Sequence, residues 1–297
     1  MKKLYQILVA VVLAAASTMT VANDKPFLWS IDGEQLSYLF GTIHVNNPQV
    51  TTLPTVVEQA FQDSDAVYTE IPMDMQTQFA AVQGMILPGG KTLPEILPVD
   101  VIARTNRYLG NIMPGMSLEA MGQLKVWAIA LTLPLLESQL KNIGAEPLDM
   151  ALYNRAVADG KEAGGLETAN EQMSIMDRMS AAEQERLLTD TLDYMEEAKQ
   201  RGVDIMDEMA AEYLKGDLEG LGKLMTKYLD ITDPFYDNLM DSLLVARNHL
   251  MAERVDAMLS ANPGKTYFVA VGAGHFWGEQ GVQKLLREKG YSVQRLR

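Results

Sequence analysis

The chain has 297 residues, a formal net charge of −14 and no cysteine. Such an acidic surface repels phosphate backbones and anionic headgroups, which argues against nucleic-acid and membrane-surface partners. Without cysteine there is no disulfide framework and no site for a lipid-anchored N-terminus, so stability must come from a buried core.

Lys2 and Lys3 precede an almost unbroken apolar run from Leu4 to Ala16, and Thr20-Val21-Ala22 offers a small-residue cleavage site ahead of Asn23. The run has 13 residues, short of the roughly 18 that span a bilayer. Residues 1–22 therefore read as a cleavable signal peptide, residues 23–297 as one domain, and the location as periplasmic or secreted, with no stable membrane span left after cleavage. A buried N-terminal helix is the alternative. Losing residues 1–22 removes two lysines and no acid, which takes the net charge to −16.

Phe27 to Ile31, a turn at Asp32-Gly33 and Leu36 to Phe40 predict a β-hairpin, its second strand running into Gly41-Thr42-Ile43-His44. A helix is expected from Pro54, then a buried strand from Ala66 to Ile71 with Glu70 at its end. From about residue 75 to 246 apolar residues recur at three and four and strand signals nearly vanish, the mark of a large helical insertion. Within it, Val126 to Leu136 predicts a buried helix with Pro134 near its end, and Asp149 to Ala158 another. Gly164 to Glu167 predicts a short inner strand. Further helices are expected over Ala181 to Lys199, Ile205 to Lys215 and Pro234 to Leu259. Thr266 to Val271 is a near-continuous apolar run suited to a strand buried on both faces. A helix from Gly278 to Glu288 and a strand from Ser292 to Leu296 close the chain. The fold class expected is α/β, a single sheet built from both chain ends with the helical insertion between.

The three histidines are His44, His249 and His275, and two of them end the same pattern, a strand followed by Gly-x-x-His. With 22 glycines in 297 residues, chance gives two such histidines of three in roughly one or two cases per hundred. Glycine lets backbone approach closely where a strand ends, and the strand ends of open α/β sheets are the usual ligand sites. Glu70 and Glu167 end two more predicted strands. Two imidazoles and one or two carboxylates on one sheet edge suit a metal site with open positions, or an acid–base pair.

Further pieces come in order: Tyr38 to Val45 around the first motif, Glu70, Leu148-Asp149, Gly160-Lys161, Leu166-Glu167-Thr168 with Gln172, Arg247-Asn248, and Val271 to Gly278 with Gly281-Val282. Together they resemble the TraB/GumN family, akin to the Tiki metalloproteases, over nearly the whole mature chain. The resemblance implies an α/β fold like that of erythromycin esterases and haem-binding ChaN proteins, with the paired Gly-x-x-His motifs at its centre. For the Tiki branch it implies a divalent-metal-dependent peptidase. The related esterases imply a histidine base without metal, so the cofactor stays open.

Each residue also has a plainer reading. His44 and His275 can be buried structural histidines, Glu70 a salt-bridged strand-end carboxylate, and Glu167 and Gln172 helix caps beside a Thr168-x-x-Glu171 capping box. Arg247 or Asn248 can point into the site as an oxyanion donor or lie at the surface. His249 reads as a helix-face residue. Met173, Met176 and Met179, with Met206 and Met209, are either soft ligands for Cu(I) or filler of a helical core. The function expected is an exported hydrolase of a peptide or ester bond. Catalysis falls to His44, Glu70, Glu167, Arg247 and His275, and a divalent metal of unknown identity, or none, sits on His44, Glu70 and His275. The alternative is a non-catalytic ligand- or haem-binding protein.

Overall fold

The computed structural model describes residues 25–227 and 231–297. The signal peptide expected at 1–22 lies outside the described residues. Six strands form one mixed sheet: β1 Leu28–Asp32, β2 Ser37–Thr42, β3 Ala66–Thr69, β4 Glu162–Gly165, β5 Tyr267–Gly272 and β6 Ser292–Arg295. Their order is β4-β3-β5-β2-β1-β6. The four strands β4, β3, β5 and β2 run parallel, while β1 lies antiparallel to both β2 and β6. The class is α/β, with three strands from the N-terminal part, two from the C-terminal end, and β4 among the helices between.

The central strand follows from composition. Tyr267 to Val271 is buried residue after residue, as a parallel strand covered on both faces requires. Phe268 there meets Phe40 and Phe61, each ring centroid 5.6 Å away. The hairpin turn is longer than the expected Asp32-Gly33. Asp32 pairs with Ser292 of β6 and Ile31 with Ser37, so the connection is residues 33–36. A second partner on its other side extends β1 through Asp32.

The middle of the chain is less separate than a plain insertion. Leu109, Trp127, Ile129, Leu133, Leu188 and Leu192 form a second core among helices Val99–Ile112, Val126–Lys141 and Ala181–Gln200. By contrast, Leu148, Leu152, Ala156 and Leu166 belong to the core beside the sheet, as do Tyr213 and Leu221. The strand expected at 164–167 is β4, two residues earlier, and it is the sheet's edge rather than an inner strand. The helix expected over Val126 to Leu136 continues to Lys141 with Pro134 inside it and Leu133 fully buried beside the proline. Met173 and Met176 are buried in the helical core and Met179 packs against it, whereas Met206 and Met209 pack on the sheet core. The methionines fill two different cores and do not gather as a soft ligand set.

Two departures bear on the site. The helix expected from Pro234 to Leu259 is Pro234–Met240, then a π-helical turn Asp241–Val245, then Ala246–Ala261. A π turn inserts an extra residue and re-aims the side chains of the next helical turn, here Arg247. After β5 comes a 3₁₀ turn, Ala273–Phe276, and the next helix starts only at Val282. Gly278, with φ of 77°, bends the chain in the left-handed region between them.

Candidate active site

Parallel pairing collects the site. The four parallel strands end on one edge, and each is followed closely by a polar residue: β2 by His44, β3 by Glu70, β4 by Glu167 and β5 by His275. Pairing continues past the strand ends, where Glu167 N–H donates to the Glu70 carbonyl at 2.7 Å and fixes those two residues side by side. The two motif glycines have separate tasks. A Cβ on Gly41 would come within 2.7 Å of Phe27 Cβ and 3.2 Å of Ala273, so glycine lets one motif pack against the other. A Cβ on Gly272 would stand 3.0 Å from Glu70 Oε1, 3.7 Å from His275 Cδ2 and 3.8 Å from His44 Nε2, and so would fill the space these three share.

Both imidazoles turn Nε2 toward one oxygen. His44 Nε2 is 3.9 Å and His275 Nε2 3.5 Å from Glu70 Oε1. His44 Nδ1 lies 3.1 Å from Asp149 Oδ1, and His275 Nδ1 lies 2.6 Å from Asn248 Oδ1. Glu70 Oε1 accepts from Gly272 N–H at 2.7 Å, and its Oε2 accepts from Arg247 Nη2 at 2.5 Å and Gln172 Nε2 at 3.1 Å. Arg247 also holds Glu167, through Nε at 3.1 Å and Nη2 at 2.7 Å, and donates from Nη1 to the Leu243 carbonyl in the π turn. The two histidines differ in access: the His44 side chain is 51% exposed, that of His275 4%.

The electrostatics are set by these contacts. Partial burial works to lower the His44 pKa, but Asp149, by charge and hydrogen bond, and Glu70 lift it to about 9 against Arg247. Burial pushes His275 down to about 4, which the Glu70 charge only partly offsets and Arg247 reinforces. Burial alone would raise Glu70. The charges of His275 when protonated, Arg247 and His44, with the Gly272 N–H, hold it well below the usual carboxylate range. Burial likewise opposes the Arg247 charge, and its bonds to Glu167 and Glu70 hold its pKa above the ordinary value.

Among the described residues no group of three or more His, Cys, Asp or Glu side chains could hold a metal ion as it stands. Glu70 is already committed to Gly272, Arg247 and Gln172. The donor set nonetheless has the chemistry of a divalent site. Ligands at about 2.0–2.2 Å around a tetrahedral ion lie roughly 3.3–3.6 Å apart, close to the spacing of His275 Nε2 from Glu70 Oε1 and a small side-chain shift from that of His44. Two carboxylates, Glu70 and Glu167, share the Arg247 guanidinium, and a third, Asp149, pairs with His44, so the edge carries an excess of acidic groups that a cation can balance.

The structure thus brings together His44, Glu70, Glu167, Arg247 and His275. Glu167 and Gln172 face this cluster, while the cap of helix Ala169–Asp177 is the Thr168–Glu171 box. Asn248 is bound to His275 and to the Gln280 carbonyl instead of standing ready for an oxyanion. His249 is exposed on its helix, 2.9 Å from the Gln280 side chain. Asp149 carries no role on sequence grounds, although it stands in the Leu148-Asp149 piece of the family pattern; that piece was the available signal.

An α/β sheet with two Gly-x-x-His turns and a carboxylate–arginine cluster at one edge defines a class. The chain belongs to the TraB/PrgY/gumN family, whose profile matches residues 27–295. It is similar to Metalloprotease TIKI2 of Danio rerio, 29% identical over 91% of this chain and 62% of that protein. Metalloprotease TIKI1 of Homo sapiens is 28% identical over 90% of this chain and 61% of its own length. Uncharacterized protein YbaP of Shigella flexneri is 27% identical, with 87% of this chain and 90% of that protein covered. The chain spans about three fifths of the length of the metalloprotease relatives. No solved structure matches it at a significant level.

Two predictions arise from the site's geometry. Gly272→Ala should leave the fold intact, because φ −50° and ψ 136° suit any residue, yet block the shared space. Metal content and thermal melts decide it: unchanged metal binding in this variant contradicts the site geometry. The second concerns pH. His44 faces Asp149, Glu70, Arg247 and His275, and its raised pKa gives a stabilisation fully present below the unfolded value of 6.5 and lost as pH rises through about 9. His275 acts oppositely, since the unfolded chain takes up its proton first and stability falls from pH 6.5 toward about 4. Chemical denaturation in chelator should show both limbs, with the alkaline one reduced in Asp149→Asn. An alkaline limb identical in that variant contradicts the assignment to His44.

Proposed function

We propose that the protein is an exported, divalent-metal-dependent hydrolase that cleaves a peptide bond at the edge formed by His44, Glu70 and His275. The carrying observation is the convergence of both Nε2 atoms on one Glu70 oxygen, at 3.9 and 3.5 Å. Two imidazole Nε2 atoms converging on a carboxylate oxygen, each beyond hydrogen-bond reach, stand as the ligands of a divalent ion would, and binding the ion displaces the proton that His44 holds below about pH 9. The names of the TIKI relatives, both metalloproteases, favour a peptide bond over an ester.

His44, His275 and Glu70 would hold the ion, which supplies Lewis acidity and an activated water. The protein's own groups supply the rest. Half-exposed His44 lies on the side from which substrate arrives, and buried His275 anchors the floor. Arg247 helps keep Glu70 ionised, aims both Glu70 and Glu167, and adds positive potential where negative charge develops. The carboxylate between the imidazoles is the feature that separates hydrolysis from haem ligation, which needs an apolar slot. The Asp149–His44 pair favours one competing reading, a metal-free acid–base site.

Cleavage of an unstructured polypeptide by the mature protein tests the proposal. It should stop in chelator and return with a divalent ion; full cleavage in chelator favours the metal-free reading, and no cleavage under any condition sinks the hydrolase. Export is tested separately by intact mass. Exported protein should begin at or near Asn23, and retention of Lys2 and Lys3 would defeat the signal reading. No helix among the described residues is long and apolar enough to cross a membrane.

A further inference from the structure

We infer that Asp149 and Asn248 are positioning residues: each fixes the Nδ1–H tautomer of one histidine, so that both present Nε2 to the same point beside Glu70. The inference rests on the metal-site reading above and goes beyond it to residues that hold no ion themselves.

At His275 the tautomer is fixed from a backbone carbonyl outward. The Gln280 carbonyl can only accept, so the Asn248 group 2.8 Å away must be the donating Nδ2. That turns Asn248 Oδ1 toward His275 Nδ1 at 2.6 Å, and an amide oxygen also only accepts. Nδ1 of His275 must therefore carry its hydrogen, and in the neutral ring the lone pair falls on Nε2, 3.5 Å from Glu70 Oε1. Asn248 is 2% exposed and His275 3%, so water does not compete for either bond. At His44 a carboxylate does the same work: Asp149 Oδ1, 3.1 Å from Nδ1, accepts and leaves Nε2 for the site. Asp149 is itself buried, 6% exposed, in the first turn of helix Leu148–Ala158, where a negative charge meets the positive end of the helix dipole. Two residues 99 positions apart, on different helices, thus impose one tautomer on both rings. An outer partner of this kind orients the ring, and its loss costs about 10–100-fold in metal affinity.

The partners differ in kind. An amide on the buried ring keeps His275 a neutral donor, and a carboxylate on the exposed ring makes His44 the more basic donor. Exchange of the two partner types is the informative substitution.

The test uses the mature protein, Co²⁺ as probe, and ¹⁵N imidazole spectra of the metal-free form at a pH above about 9, where both rings are neutral and a tautomer is defined, with His249 as reference. Expected are Nδ1–H signals from His44 and His275 in the wild type. Asp149→Ala and Asn248→Ala should each release the tautomer of their own ring only and weaken Co²⁺ by about 10–100-fold, with altered visible bands. Asp149→Asn and Asn248→Asp retain an acceptor and should restore the tautomer, which guards against an alanine variant that fails to fold. If the wild type binds Co²⁺ and both alanine variants match it in affinity and spectrum, the inference is overturned while the metal site stands. If the wild type binds no Co²⁺, the metal reading fails, and the tautomers alone decide: rings unchanged in both alanine variants overturn the inference, and rings released support it.

Discussion

Replacing Arg247 with leucine is expected to lower the melting temperature by about 6–20 °C. The guanidinium is 12% exposed and bridges Glu70 and Glu167, whose side chains are 12% and 2% exposed. Removing one partner of a buried charge cluster strands the others, at a cost of about 3–5 kcal/mol, and each kcal/mol is worth about 2–4 °C in a domain of this size. The stranded carboxylates also repel each other, since Gln172 then remains as their shared donor. Arg247→Lys should recover part of the loss, because it restores charge without the two-pronged geometry. Differential scanning calorimetry in chelator reads the effect. A fall under about 2 °C in the leucine variant would contradict the bridging of Glu70 and Glu167 by a buried Arg247.

The second large effect separates the two histidines. His44→Ala and His275→Ala should each reduce peptide hydrolysis by at least about 100-fold, the lower range for losing a positioned acid–base or ligand group. Their stabilities should diverge. The sequence alone suggests that histidines at strand ends add little to packing, so that both variants would melt like the wild type. The structure retains that expectation for half-exposed His44 and reverses it for His275, buried and bound to Asn248. Loss of the His275 ring leaves the Asn248 oxygen unsatisfied, a penalty of about 1–3 kcal/mol, or a fall of about 2–12 °C. Melts in chelator keep metal loss from mimicking packing loss. Equal melts for both variants would contradict the difference in burial, and retained hydrolysis in either would remove that residue from the site.

The contrast between the two rings shows which features a sequence exposes. His44, His275, Glu70 and Glu167 are legible because each comes after an apolar strand signal, and the parallel sheet turns that local fact into a shared edge. Asp149 is not legible, since an acid in the first turn of a helix is an ordinary dipole partner and nothing in spacing links position 149 to position 44. Asn248 is visible as a polar residue, but its orientation comes from the Gln280 carbonyl, a backbone group that no side-chain pattern reveals. The π turn at Asp241–Val245 hides for a related reason. Apolar residues on either side keep helical spacing, and only the register of Arg247 against two strand ends exposes the extra residue. Pro134 misleads in the opposite direction: a proline near the end of the apolar run suggests a helix closing about Leu136, yet Ile129, Ala130 and Leu133 share a core with Leu188 and Leu192 and the helix runs on to Lys141.

Metal analysis of the mature protein, purified without chelator or added metal, tests the metal-dependent site most directly when paired with peptide hydrolysis on the same sample. About one equivalent of a divalent ion is expected in the wild type and none in His44→Ala. Activity should disappear on chelation and return when the ion is restored. Chelator-stripped protein that hydrolyses peptide at the full rate would contradict a metal-dependent site.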